Sequence, residues 1–168
     1  MNEVLSTPQI ALFVKMGLMA WETYIGRVNK LLNELPDETL AQQVAPGRNT
    51  GTYLLGHLTA THDAMLPALG LGERLYPELE QPFLTSPDGS GLPVPSLQQL
   101  REYWAKVNAT LAERMATLQP EEWLNRHTIV SEADFAREPH RNKLNLLINR
   151  TNHLSYHLGQ LIFLKSKG

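Results

Sequence analysis

The run Asn152-His153-Leu154-Ser155-Tyr156-His157-Leu158-Gly159-Gln160 sets two histidines four residues apart within an apolar, helix-compatible pattern. A helix advances about 100° per residue, so His153 and His157 are offset by only about 40° and their rings project to one side. Two imidazoles on one helix face can share a divalent cation, and a third from a neighbouring helix would complete a facial set of nitrogen ligands. His57 is the candidate third. It lies in Tyr53-Leu54-Leu55-Gly56-His57-Leu58-Thr59-Ala60, apolar sequence in which Gly56 would let another helix come close. Burying unpaired imidazoles beside Leu154, Leu158 and Leu161 is costly, and a shared cation offsets that cost. The competing reading is an ordinary pair of core or surface histidines, which spacing alone does not exclude.

Working outward, this last helix is expected from about Asn142 to Lys165, with Leu147, Thr151, Leu154, Leu158, Leu161 and Ile162 on its apolar side. A first helix is expected from Pro8 to Leu35, capped by Thr7, with a stripe of Phe13, Gly17, Ala20, Trp21, Tyr24, Val28 and Leu31. The second runs from about Thr50 to Leu66 and buries Tyr53, Leu54, His57, Ala60, Thr61 and Ala64. In the third, Ser96 and Gln99 form a capping box ahead of the stripe Leu97, Leu100, Trp104, Val107, Leu111, Met115 and Leu118. Strand-like alternation is confined to Thr128 to Val130. The fold class is therefore all-α: one domain over residues 1–168, a four-helix bundle with long crossover connections. The short linker between the first two helices predicts an antiparallel hairpin. The stretch from Pro67 to Pro95 holds six prolines. It and Gln119 to Arg141 are long enough to cross the bundle, and residues 67–95 are also a candidate lid.

Composition narrows the function. A formal net charge of −2 and the lack of a basic stripe argue against nucleic acid as a partner. The absence of cysteine excludes disulfides, thiolate ligands and a protein thiol nucleophile. No segment approaches the roughly 18 apolar residues of a membrane span, and Lys15 and Glu22 interrupt any leader-like pattern. A cytoplasmic location is the expectation. Phosphate loops, nucleophile elbows and paired catalytic carboxylates are all lacking.

The C-terminal Asn-His-Leu-Ser-Tyr-His-Leu-Gly-Gln-Leu and the upstream Tyr-Leu-Leu-Gly-His-Leu-Thr-Ala-Thr-His-Asp together resemble the signatures of the DinB-like (DinB/YfiT) metalloenzymes. The resemblance implies a four-helix bundle of non-sequential helix order, often a homodimer, with a divalent cation at His57, His153 and His157. Leu158 stands where the family often has arginine, which removes one candidate contact for an anionic substrate.

Zinc and nickel are the ions that suit this donor set best. Asn149, Gln160 and Thr61 lie near enough in register to orient a ligand ring or touch a small-molecule substrate. His62 is about 140° round the helix from His57, so it cannot face the same ion, and with His127 and His140 it is expected at the solvated surface. Trp21, Tyr24 and Trp104 are read as core. The resemblance implies a transferase using a low-molecular-weight thiol. A metal-dependent hydrolase, or a non-catalytic metal-stabilised dimeric binding protein, are the alternatives.

Overall fold

The computed structural model describes residues 5–167, and the described residues contain helices and no strands. Helix α1 spans Thr7–Glu34, α2 Asp37–Leu40, α3 Gly51–Asp63, α4 Met65–Leu69, α5 Leu97–Met115, α6 Glu132–Arg137 and α7 Lys143–Leu161. The four long ones, α1, α3, α5 and α7, make the bundle. Local chemistry fixes their starts. Thr50 Oγ1 accepts the Tyr53 N–H at the head of α3, and Asn142 Oδ1 accepts that of Asn145 at the head of α7. Ser96 and Gln99 close the capping box of α5 in both directions. The α1 cap is Ser6, one residue before the expected Thr7, and its N–H donates to Gln9 Oε1.

The helices pair in a way that sequence order does not suggest. Helix α1 packs chiefly on α7, and α3 on α5 and α7. Lys165 at the end of α7 pairs with Glu34 at the end of α1, while Leu144 and Leu147 approach Gly17 near their starts, so α1 and α7 run parallel. Arg114 late in α5 donates to the Leu71 carbonyl just beyond α4, so α5 runs parallel to α3. The two parallel pairs oppose each other, which makes α3 and α7 antiparallel neighbours. The hairpin expected between the first two helices is thus overturned. Their linker is no tight turn: Thr39, Leu40 and Val44 are buried in it and carry the chain across the end of the bundle. Arg101 of α5 ties that end together through the Leu32 and Leu35 carbonyls and Asp37.

Parallel neighbours need a connection as long as the helix. Residues 70–96 supply it between α3 and α5, running back along α3. Gly70, at φ 71°, ends α4 and starts the return. The Asp63 carboxylate accepts the N–H groups of Leu75 and Tyr76, Tyr53 donates to the Ser86 carbonyl, and Asp88 accepts the Thr50 N–H. Phe83 lies flat against Gly56. A Cβ on Gly56 would come within 2.3 Å of that ring, so the close approach expected of a helix is made instead by this loop.

Several sequence expectations shift. The second helix breaks at Ala64, and Pro67 falls in the first turn of α4 where its missing N–H costs nothing. Phe13, Ala20 and Ile162, expected in the core, are exposed; the core side of α1 is Ile10, Val14, Trp21, Val28, Leu31 and Leu32. Thr128 to Val130 is loop, held to α4 by hydrogen bonds from Thr128 to the Pro67 and Ala68 carbonyls. Within the second long connection, Pro120–Leu124 is a short 3-10 segment that buries Trp123. No described helix is long and apolar enough to cross a membrane.

The Phe83 contact yields a direct test. Gly56→Ala should cost about 1–3 kcal/mol through overpacking, read by denaturant unfolding. An unchanged midpoint would show that the loop yields freely.

Candidate metal centre

The antiparallel run of α3 against α7 brings His57 to the histidine pair. His57 Nε2 is 3.0 Å from His153 Nε2, and His157 Nε2 is 3.1 Å from the same atom. The outer two rings have their other nitrogens assigned. His57 Nδ1 is 2.8 Å from the Phe83 carbonyl oxygen, which can only accept, so this nitrogen carries a hydrogen. His157 Nδ1 is 2.7 Å from Gln160 Oε1. Gln160 Nε2 lies 3.3 Å from Tyr156 Oη, and in this orientation of the amide Oε1 accepts and His157 Nδ1 is also a donor. In the neutral rings both outer Nε2 atoms then present lone pairs to His153.

Hydrogen bonding among the rings cannot satisfy this arrangement. With its hydrogen on Nε2, His153 has one donor for two acceptors and leaves its buried Nδ1 bare. With the hydrogen on Nδ1, three lone pairs face one another. His153 Nδ1 has no partner in either case. A cation accepts all three lone pairs at once. Nitrogens about 2.1 Å from one ion stand about 3.0 Å apart at octahedral angles and about 3.4 Å apart at tetrahedral ones, so the separations of 3.0 and 3.1 Å lie at the close end of that range. Among the described residues, these three histidines form the one group of metal-capable side chains within reach of one another.

Burial favours the neutral rings that a cation needs. Desolvation, then the neighbouring His157, His57 and Arg150, push His153 down to about 4. Burial also lowers His157, against an opposing hydrogen bond from Gln160. His57 and His153 are only partly buried. Tyr53 stacks over His57 with ring centres 6.3 Å apart, and Tyr156 meets His157 edge-on at 5.1 Å.

The other residues singled out from sequence fall differently. Gln160 sits directly behind the His157 ring, on the side away from His153. Asn149 is exposed, and its hydrogen bond goes to Asn145, 3.4 Å away, rather than to an imidazole. Thr61 is buried one turn past His57, and among the described residues no hydrogen bond joins it to the three rings. The surface placement of His62 and His127 is overturned. His62 is completely buried between Trp21 and Trp104, with ring centres 4.5 and 4.9 Å away, and its Nδ1 lies 2.8 Å from Asn108 Oδ1. His127, within the 126–130 loop, is buried with Nδ1 unpartnered, and burial lowers its pKa. His140 is exposed, as expected. Two contributors escaped the sequence reading: the Phe83 carbonyl, hinted at only by Gly56, and Arg150, one turn before His153.

The chain is thus a helical bundle that brings one histidine of its second long helix and two of its last together between antiparallel helices. Residues 20–161 match the family model of the DinB superfamily, and the chain belongs to that superfamily. The match takes in all three histidines. No curated protein matches the chain.

The buried His62 makes stability pH-dependent. Desolvation drives its pKa to about 3, so the unfolded chain binds the extra proton first. Stability present above about pH 6.5 is lost as pH falls toward 3, with His153 adding to the loss down to about 4. Thermal melts of metal-free protein should show this decline, and His62→Gln should flatten it. An equal slope in both proteins would contradict the assignment.

Proposed function

We propose that the protein is a divalent-metal-dependent enzyme that holds its ion, zinc or nickel, at His57, His153 and His157 and transfers a small thiol to an electrophilic substrate. The support is the surplus of lone pairs: two Nε2 acceptors converge on a third imidazole that has at most one hydrogen to offer. An ion bound there would act as a Lewis acid and draw the pKa of a thiol or water toward neutrality. Phe83 and Gln160 hold the outer rings in the tautomer that presents Nε2, as carbonyl and carboxylate partners do behind metal-bound histidines elsewhere. Three protein ligands, rather than a closed set of four, leave room for a reactant. Since the chain has no cysteine, the sulfur of such a reaction comes from a free thiol.

Elemental analysis of protein purified without a metal-affinity tag should find one ion per chain. His153→Ala or His157→Ala should abolish it after dialysis, and acidification should release it only well below pH 6, as rings held down by burial, His153 to about 4, protonate. Full occupancy in either variant removes the site. With metal retained, a screen of small thiols against electrophiles should show turnover that requires His57. Metal-dependent ester or amide cleavage without thiol would assign a hydrolase in its place.

A second copy of the chain is the proposed macromolecular partner. Leu12, Phe13, Met16 and Met19 are all about half exposed on α1. Beside them Phe13, Met16, Gly17, Leu144 and Ile148 line a groove of about 390 Å³ between α1 and α7. An apolar stripe of this kind, on a face that the bundle does not use, suits a symmetric partner. Sedimentation at micromolar concentration should give a dimer that Phe13→Glu with Met16→Glu converts to monomer. A monomeric unmodified protein would refute the pairing.

A further inference from the structure

Arg150 is one turn before His153 and two turns before His157. Seven residues return the helix to within about 20°, so Arg150, His153 and His157 share one side of α7. Among the described residues its guanidinium is without a counterion: no carboxylate lies within ion-pair distance of it. The nearest buried acid in register on α3, Asp63, spends both oxygens on the N–H groups of Leu75 and Tyr76. Arg150 Nε is buried, and among the described residues it has no hydrogen-bond partner. Burial disfavours its charge, and that charge in turn disfavours protonation of His62, His127 and His153.

A partly desolvated cation without a counterion is costly to keep unless something negative joins it. A second shortage lies beside it. When His153 gives Nε2 to an ion, its hydrogen sits on Nδ1, which is buried and unpartnered one turn from Arg150 Nε. Two donors on adjacent turns of α7 thus lack a hydrogen-bond partner among the described residues, and the buried His62 Nε2, a free acceptor, takes a hydrogen bond from neither.

The geometry points to Arg150 as the residue that recognises an anionic group, a carboxylate in the first instance, on the molecule bound at the three-histidine centre. The inference rests on the metal reading above and adds the substrate class: small molecules carrying a carboxylate within one helical turn of the group that meets the ion. A planar guanidinium fork pairs with a carboxylate through two parallel hydrogen bonds, which an ammonium cannot reproduce.

The test uses cobalt(II)-loaded protein, whose visible spectrum reports a thiol entering the coordination shell, and two probes of similar size, 3-mercaptopropionate and 2-mercaptoethanol. The carboxylate-bearing thiol should bind at least about tenfold more tightly, the equivalent of one charge-assisted hydrogen bond. Arg150→Gln should erase that preference while cobalt content and near-ultraviolet circular dichroism stay unchanged, and Arg150→Lys should retain part of it. Equal binding of the two thiols, no spectral response to either, or a preference that persists in Arg150→Gln would each overturn the assignment and leave the metal centre standing. If the unmodified protein takes up no cobalt, the metal reading fails first and this inference falls with it. Should Arg150→Gln not fold, the comparison of unmodified protein with Arg150→Lys still decides.

Discussion

Three lone pairs converge where the protein offers at most one hydrogen, and much of the surrounding structure serves to hold that imbalance in place. A folded chain seldom leaves buried polar atoms unsatisfied, because each costs on the order of 1–3 kcal/mol. Here the imbalance is actively maintained. The Phe83 carbonyl and the Gln160 amide both spend hydrogen bonds on keeping the outer rings turned so that their acceptor nitrogens face inward. A cation converts that expense into coordination.

The fold explains why the convergence is possible. Only antiparallel packing of α3 on α7 sets His57 opposite the His153–His157 pair. Because α3 lies parallel to α5, the chain must return along the bundle, and the return segment is also what delivers Phe83 to Gly56 and its carbonyl to His57. One topological requirement therefore produces both the long connection and the support behind a ligand ring. The same antiparallel register sets His62 near Arg150, one step further along the bundle axis, so the polar interior continues past the ligands rather than ending at them.

How much of this was readable from sequence depends on what kind of signal each feature leaves. Side-chain periodicity carried the four long helices, and caps such as Ser96 with Gln99 fixed a boundary. The His57 and His153–His157 set was visible because spacing and apolar surroundings coincide there, and Gln160 because it lies one turn beyond a ligand. His62 was misplaced for a physical reason: ten of the thirteen residues of α3 are buried, so that helix has almost no solvent face and a 140° rotation leads to another neighbour instead of to water. Phe13 was misplaced because α1 has two apolar sides, and periodicity cannot say which one the core uses. The pairing of α1 with α7 depends on contacts remote in sequence, and the Phe83 carbonyl is backbone, which has no sequence signature. Arg150 was in plain view at the right spacing, but only its missing counterion gives it meaning.

The central claim is that three imidazoles bind one ion. X-ray absorption at the metal edge of protein loaded with one zinc per chain measures this directly. Three nitrogen neighbours at about 2.0–2.1 Å, with the outer-shell scattering of imidazole rings, is the predicted result. A shell of oxygen atoms alone, or of fewer than three imidazoles, would contradict it.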